Sequence, residues 1–274
     1  MKVIVWAGLG LALGALLACG SESVHAAERV TLTGSSTIAP LVQAGVERYE
    51  VLHPGIRIDV QTGGSSRGIA DAARGLNEIG MTSRALKPEE APGLAQHVLA
   101  IDGIAFVVHA DNPVGELTRD QARSIFTGEL SNWSEVGGAD RPIIVVSRPE
   151  GRSELDLVSE FLGLTPSEIK ADVVGGENQQ AIKLVAGHPD AIVYLSLGTA
   201  AYEAKAGTSL RLLDLDGVPA VAATVADGSY PLARPLVLVT GREVSSPAQA
   251  FLDYLLSPSL DLLIGEQGFV APPR

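Results

Sequence analysis

The chain has 274 residues, of which 46% are hydrophobic and 19% are charged, and its formal net charge is −12 at pH 7. This composition indicates a globular protein with enough chain for one large or two medium domains. The acidic balance argues against nucleic acid as a partner, and any site for an anion must be built locally from a few donors.

The N-terminal segment reads as an export signal and not as part of the fold. The apolar run 3–18 suits a signal-peptide core and is short for a membrane-spanning helix. It ends in LLAC followed by GSES, which resembles a bacterial lipobox and predicts lipidation at Cys19; ordinary cleavage after Ala26 is the alternative. We therefore expect a lipoprotein-type signal peptide over 1–18 and a flexible leader over 19–28. The protein would be exported to the periplasm or the cell-envelope surface and held at the membrane by its lipid anchor alone.

Three apolar strands each end in a short polar loop that opens a helix. Strand 29–33 precedes GSST, strand 56–60 precedes GGSSRG, and PIIVV at 142–146 precedes SRPEGRS. This alternation predicts an α/β fold with mostly parallel strands. In such sheets ligands bind beyond the carboxyl ends of the strands, so we expect the three loops to meet there.

These loops have the chemistry of an oxyanion site. Small residues let the backbone approach a ligand, hydroxyls donate hydrogen bonds, and helix N-termini present free N–H groups. A further short strand, EIGMT, ends at Ser83 and Arg84, and the third loop carries Arg148 and Arg152. Each loop alone also fits ordinary capping, because Ser and Thr are common helix N-caps. Three loops of one kind favour a shared anion site.

Other classes of site find little support in the sequence. GGSSRG is neither a P-loop nor a dinucleotide fingerprint, because the spacings GxxxxGK[ST] and GxGxxG are absent. The chain has no HExxH motif and no cysteine–histidine metal cluster. We therefore expect a binding protein without a metal, a cofactor or a catalytic centre.

Taken together, the motifs resemble the periplasmic phosphate-binding proteins of ABC transporters, in their shorter bacterial form. The matching stretches span nearly all of residues 29–274 in the family's order, and IFTGELSNWSEVGG and YPLARPL are the most specific. The others are LTGSSTIAPLV, HPGIRIDVQTGGSSRGIADA, EIGMTSRALKPEE, DGIAFVVHADNPV, PIIVVSRPEG and DAIVYLSLG.

The resemblance implies a two-lobed α/β clamshell of the periplasmic-binding-protein, type II-like class. DGIAFVVH and YPLARPLVLVT would be the two strands that cross between the lobes. Lobe 1 would hold residues 29–105 and 228–274, and lobe 2 would hold residues 106–227. The lobes would close on inorganic phosphate, and a membrane permease would receive it from the closed, monomeric receptor. A different oxyanion or small anionic solute, or a lipoprotein sensor or scaffold on the same fold, stays an alternative, because a fold does not fix its ligand.

The resemblance also implies which residues bind the ligand. The candidates are Ser36, Thr37, Ile38, Ser65, Ser83, Arg84 and Arg148. Thr37 would contribute its hydroxyl and Ile38 its backbone N–H group. Ser83 stands where some members of the family carry an aspartate that accepts a hydrogen bond from protonated phosphate.

The chain departs from the family where the third helix begins. The family usually has Ser-Gly-Thr there, and this chain has Arg152, Ser153 and Glu154. Arg152 can bind an anion bidentately, and Ser153 can restore one hydroxyl. We hypothesise that Glu154 accepts a hydrogen bond from the P–O–H group of hydrogen phosphate and so rejects sulfate. The alternative is that Glu154 lies in the first helical turn, where acids are favoured, and pairs with Arg152 or Arg148.

Overall fold

The computed structural model describes residues 27–273, in which strands and helices alternate along most of the chain. The strands are β1 (Glu28–Gly34), β2 (Ile56–Thr62), β3 (Ile79–Thr82), β4 (Ala95–His109), β5 (Glu116–Leu117), β6 (Ile144–Ser147), β7 (Val173–Val174), β8 (Ala191–Ser196), β9 (Leu210–Leu212), β10 (Asp214–Leu215) and β11 (Ala233–Thr240). The helices are α1 (Ala39–Leu52), α2 (Ser65–Ala73), α3 (Arg119–Phe126), α4 (Ser153–Leu162), α5 (Asn178–Gly187), α6 (Leu197–Lys205), α7 (Ala222–Ala226), α8 (Ser246–Leu255) and α9 (Asp261–Glu266).

The predictions for the N-terminal segment concern residues that lie outside this description. They are the signal peptide, lipidation at Cys19 and the alternative cleavage after Ala26. Between residues 27 and 273, no helix is long and apolar enough to span a membrane.

Two sheets that share strand β4 organise the fold. In the first sheet, β1 pairs in parallel with β2 and β3, and β11 runs antiparallel between β3 and β4. In the second sheet, β8 runs antiparallel to β4 and parallel to β6, which pairs in parallel with β7. Residues 95–103 of β4 pair with β11, and residues 104–108 pair with β8. The long strand β4 therefore crosses from one sheet to the other, as the resemblance implied for DGIAFVVH.

Most of the buried apolar side chains form two cores, one against each sheet. The first contains Leu32, Ile38 and Phe251, and the second contains Trp133 and Tyr194. We refer to the two sheets with their helices as the first and second lobes. The chain passes between the cores near residues 100–104 and 232–236. The division at 105/106 and 227/228 stays a prediction.

Gly34 lies where the loops of the first lobe contact one another at the carboxyl ends of the strands. Its φ is +135°, and a Cβ there would lie 2.1 Å from the Met81 carbonyl oxygen. The N–H groups of Gly63 and Gly64 both donate to the Gly34 carbonyl at 2.9 Å, and Ser35 N–H donates to the Met81 carbonyl at 2.8 Å. The loops after β1, β2 and β3 are therefore held side by side by main-chain hydrogen bonds.

Candidate functional site

Polar residues from four loops meet in a buried site between the two lobes, which we call the interlobe site. Helices α1, α2 and α4 all begin there, as the three strand–loop–helix units predicted. The residues that form it are each at most 3% exposed, and they are Ser35, Thr37, Ser65, Ser83, Ser153 and Glu154. Five of these six are among the residues selected from the sequence; Ser35 is an addition.

The serines of the interlobe site form a connected hydrogen-bond chain. Ser35 Oγ donates to Ser83 Oγ at 3.0 Å, and Ser83 Oγ lies 2.7 Å from Ser153 Oγ in the other lobe. The Ser83 N–H group donates to Ser65 Oγ at 3.1 Å. Ser83 therefore connects Ser35 and Ser65 of the first lobe to Ser153 of the second.

The three helices that begin at the site are not capped by their side chains. The N-cap residues are Ile38 for α1, Gly64 for α2 and Arg152 for α4, and none of them makes a side-chain capping hydrogen bond. Helix α3 differs, because Thr118 caps it through the N–H group of Gln121. Uncapped helix starts leave N–H groups and the positive end of the helix dipole available to an anion. Capping by the N-cap side chain, the alternative left open by the sequence, is therefore absent at these three helix starts.

Glu154 reaches across the site from the first turn of α4. Its Oε1 accepts hydrogen bonds from Thr37 Oγ1 at 3.0 Å and from Nη1 and Nη2 of Arg234, each at 3.1 Å. Burial would raise the pKa of this carboxyl, but Arg234 and then Arg148 outweigh it and lower the pKa to about 2. Glu154 is therefore ionised, and its ion-pair partner is Arg234, not Arg152 or Arg148 as the alternative from the sequence had it.

A buried aspartate holds the other edge of Arg234. Asp102 Oδ2 accepts from Nε and Nη2 of Arg234 at 3.2 and 2.9 Å, and Asp102 Oδ1 accepts from the Gly198 N–H group at 3.1 Å. Burial would lower the pKa of Arg234, but Glu154 and Asp102 raise it. Sequence reasoning missed both residues. Each is a single charged residue within an otherwise apolar strand. Because a buried charge needs a partner of opposite charge, this pattern could have identified the two residues as a pair.

Arg148 is buried in the second lobe and retains an unused donor. Its Nη1 donates to the Glu177 carbonyl at 3.2 Å and its Nη2 to Asn178 Oδ1 at 3.0 Å, whereas its Nε has no hydrogen-bond partner. Burial lowers the pKa of Arg148, and the charge of Glu154 opposes that shift. Leaving a buried charged donor unpaired is costly, so an acceptor from a ligand would stabilise this arrangement.

Asn178 is a further residue that the sequence analysis missed. Its Nδ2 donates to Thr37 Oγ1 at 3.2 Å, so it joins Arg148 to the first lobe. Asn178 begins α5 directly after strand β7 and the run GGE. This is a fourth strand–loop–helix unit, and a search for that pattern could have found it.

Arg152 is bound by a protein carboxylate. Its Nη1 and Nη2 donate to the two oxygens of Glu177 at 3.0 and 2.5 Å, and Nη1 also lies 3.4 Å from Ser36 Oγ. The expectation that Arg152 binds an anion bidentately stays a prediction, and in this structure its bidentate partner is Glu177. Together with Ser36, the pair joins the two lobes at the edge of the site.

Arg84 is likewise committed to other groups of the protein. Its Nη1 and Nη2 donate to Glu90 at 2.6 and 2.8 Å, and its Nε lies 3.7 Å from Asp156 Oδ2 of α4. Because Glu90 belongs to the first lobe and Asp156 to the second, Arg84 links the lobes. The Nε of Arg84 has no hydrogen-bond partner, so the expectation that Arg84 contacts the ligand stays a prediction.

The main chains of the two lobes touch beside the site. Ser66 N–H donates to the Gly151 carbonyl at 3.3 Å. Gly64 has a φ of +95°, and a Cβ there would lie 2.7 Å from the same oxygen. The structure therefore represents a state in which the lobes are closed over the interlobe site. In the part of the chain that is described, no group of three or more His, Cys, Asp or Glu side chains could hold a metal ion.

Comparisons with known proteins point to one family. The pattern of the PBP superfamily domain matches residues 21–259. The phosphate-binding protein PstS of Bacillus subtilis is 31% identical over 245 residues, which cover 88% of this chain and 80% of that protein. A phosphate ABC transporter substrate-binding protein of Clostridium perfringens, solved with bound phosphate, is 33% identical with a TM-score of 0.84, covering 90% of this chain and 100% of that chain.

A second solved structure agrees with the first. An ABC-type phosphate transport receptor of Vibrio cholerae is 31% identical with a TM-score of 0.72, covering 89% of this chain and 100% of that chain. These similarities confirm the predicted two-lobed α/β clamshell of the periplasmic-binding-protein type.

Proposed function

The chain belongs to the phosphate-binding protein family of the PBP superfamily, and we propose that it captures inorganic phosphate between its lobes and delivers it to the permease of an ABC transporter. The related proteins are named for phosphate binding or phosphate transport, and one was solved with bound phosphate. The proposed activity is capture and release by a monomeric receptor, without a catalytic step.

The buried Nε of Arg148, which has no hydrogen-bond partner, is the observation that carries this proposal. A phosphate oxygen beside it would accept a charge-assisted hydrogen bond. Other oxygens would accept from the uncapped helix starts at Ile38 and Ser153. These donors are local, which suits an anion site in a chain with a net charge of −12.

We divide the residues selected from the sequence into two groups by their contacts. The proposed ligand-binding set is Thr37, Ile38, Ser65, Ser83, Arg148, Ser153 and Glu154. The proposed supporting set is Ser36, Arg84 and Arg152, whose contacts join the two lobes around the ligand.

We also propose that the protein is exported and tethered through a lipid on Cys19. The support is the lipobox-like LLAC at the end of an apolar run. Mass spectrometry of the mature N-terminus should find an acylated Cys19, and Cys19→Ala should release the protein from the membrane fraction. A mature chain that begins after Ala26 would contradict the anchor.

Thermal unfolding of the purified protein with a panel of anions tests the function. A ligand that binds the folded state raises the unfolding temperature with its concentration. Phosphate should raise it, and Arg148→Met should abolish most of the shift. A response to another anion but not to phosphate would point to a different solute. A response to no anion would point to a sensor or scaffold, and either result would overturn the proposed function.

A further inference from the structure

Tyr194 lies in the core of the second lobe, and its hydroxyl contacts the start of the loop that carries Arg148. It belongs to β8, which runs parallel to β6, and the pairing places Tyr194 level with Ser147, one residue beyond the last paired residues. Tyr194 is fully buried, and its ring lies against that of Phe126 with 5.3 Å between the ring centroids. The packing of the core therefore fixes the position of the hydroxyl.

The Tyr194 hydroxyl makes two hydrogen bonds at the end of β6. Its oxygen lies 2.7 Å from Ser147 Oγ and accepts from the main-chain N–H group of Arg148 at 3.3 Å. A phenol has one hydrogen to donate, and Ser147 Oγ is placed to accept it. Burial raises the pKa of Tyr194 to about 12, so the hydroxyl keeps this hydrogen at neutral pH. The main chain at Arg148 is thus bound to a rigid aromatic side chain.

The far end of the Arg148 side chain is held as well. Its Nη1 donates to the Glu177 carbonyl at 3.2 Å and its Nη2 to Asn178 Oδ1 at 3.0 Å. The residue is therefore fixed at its main chain and at its tip, and the Nε between them is the group without a hydrogen-bond partner. A long side chain loses rotamer freedom when it binds a ligand, and fixing it beforehand reduces that cost.

We infer that Tyr194 is a positioning residue for Arg148, and that its hydroxyl sets the place from which the guanidinium reaches phosphate. This inference rests on the proposed function and adds a residue that acts on the ligand through another. Ser147, Arg148 and Tyr194 all belong to the second lobe, so this arrangement does not require the lobes to close. Asn178 differs, because it also donates to Thr37 of the first lobe. Tyr194 therefore prepares Arg148 for an incoming anion, whereas Asn178 couples Arg148 to closure.

A tyrosine as buried as Tyr194 also stabilises the fold, and the two roles predict different results. A purely structural hydroxyl would lower stability when removed, and any effect on phosphate affinity would not depend on the residue at position 148. A positioning hydroxyl would lose its effect on affinity once the guanidinium that it positions is replaced. A double-mutant cycle measures this dependence directly.

Calorimetric titration of such a cycle with phosphate tests the inference. Tyr194→Phe keeps the ring and removes the hydroxyl, and it should weaken phosphate binding about tenfold. In the Arg148→Lys background the same change should weaken binding by less than about threefold, because lysine has a flexible stem and no Nε–H group to direct. Tyr230→Phe is the matched control, since Tyr230 is 2% exposed and its hydroxyl donates to the Ile104 carbonyl at 3.0 Å. It should lower stability and leave phosphate affinity unchanged.

Several outcomes would overturn the inference and spare the proposed function. One is wild-type affinity in Tyr194→Phe, and another is an equal loss in both backgrounds, which would mean that Tyr194 does not act through Arg148. If Arg148→Lys binds no phosphate, equal affinities of Tyr194→Phe and Tyr230→Phe overturn it. If Tyr194→Phe does not fold, Ser147→Ala takes its place in the cycle, and an unchanged affinity has the same meaning. A wild-type protein that binds no phosphate would overturn the proposed function itself.

Discussion

Arg234 and Glu154 lie 80 residues apart in sequence, and Arg234 places two N–H groups on a single oxygen of Glu154, each at 3.1 Å. Their side chains are 1% and 4% exposed. Asp102 binds the far edge of the same guanidinium at 2.9 Å. The charged side chains of Asp102, Arg234 and Glu154 therefore form a hydrogen-bonded row of charges beside strand β4. This row contributes to the interlobe site together with its hydroxyl groups.

The ionised state of Glu154 should make the protein sensitive to acid. Its pKa is lowered from 4.5 to about 2 in the folded protein. A depressed pKa contributes stability that is present above pH 4.5 and is lost as the pH falls to about 2; for this shift it amounts to about 3 kcal/mol. Urea unfolding at pH 6 and pH 3 should show a smaller loss of stability for Glu154→Gln than for the wild type. Glu150→Gln should lose as much stability as the wild type. Equal losses in all three proteins would contradict the lowered pKa of Glu154.

Arg234→Lys should weaken the row of charges although it keeps the positive charge. An ammonium group is a compact point charge and cannot reproduce the planar contacts to Asp102 and Glu154. We expect a loss of about 3 kcal/mol in the free energy of unfolding, measured in urea. Arg67→Lys is the control, since Arg67 forms an exposed pair with Asp71 at 3.3 Å and should change stability by less than about 1 kcal/mol.

Arg234→Lys should also make the preference for phosphate over sulfate depend on pH. Without the paired N–H groups of Arg234, the pKa of Glu154 should rise, so the carboxyl takes up a proton at a higher pH than in the wild type. Under the hypothesis that Glu154 accepts a hydrogen bond from hydrogen phosphate, a protonated Glu154 no longer needs a donor on the ligand. The preference of Arg234→Lys for phosphate over sulfate should therefore be smaller at pH 5 than at pH 8. A flat profile identical to the wild type would show that Arg234 has a purely structural role.

Thr37→Val should impair phosphate binding more than folding. The Thr37 hydroxyl contacts Glu154, Asn178 and Arg234 at 3.0, 3.2 and 3.4 Å. Valine has a similar shape but no hydroxyl, so the substitution removes these hydrogen bonds, two of which join the lobes. We expect at least about tenfold weaker binding by calorimetry. Thr33→Val is the matched control, because Thr33 is also buried and hydrogen-bonded but lies outside the interlobe site. Equal effects of the two changes on affinity would refute the role of Thr37.

Gly64→Ala should hinder closure of the lobes. The new Cβ would lie 2.7 Å from the Gly151 carbonyl oxygen. The alanine would also have to adopt a backbone φ of +95°, which side-chain-bearing residues rarely do. Gly75→Ala separates the two effects, because Gly75 has a φ of +66° with nothing within 4 Å of the added Cβ. Small-angle scattering with saturating phosphate should show a larger radius of gyration for Gly64→Ala than for Gly75→Ala. Identical radii would mean that the contact does not limit closure.

The elements around the site could be predicted from the sequence because their signals are local. The predicted strand 29–33 corresponds to β1, Glu28–Gly34, and the third predicted helix begins at Ser153, inside the run SRPEGRS. Helix α6 and the first half of strand β4 are among the elements that were not predicted. Helix α6 follows β8 without an intervening loop, and the first half of β4 is partly exposed, so neither has a clear boundary in its composition.

The partners of the charged residues could not be predicted in the same way. Arg152 pairs with Glu177, 25 residues away, and Arg234 pairs with Asp102, 132 residues away. Such pairs depend on which strands become neighbours, and no local pattern encodes that order. For this reason the sequence drew attention to the third loop but did not indicate that Glu177 is the bidentate partner of Arg152 in the structure.

Strand β4 changes sheets between Gly103 and Ile104, and Asp102 lies beside that point. A pivot is the part of a moving body that travels least. Because Asp102 anchors Arg234 at the pivot, we expect this pair to hold its position while Thr37 swings away with the opening lobe. The electrostatic field that Arg234 and Asp102 produce at the site would then be set before a ligand arrives.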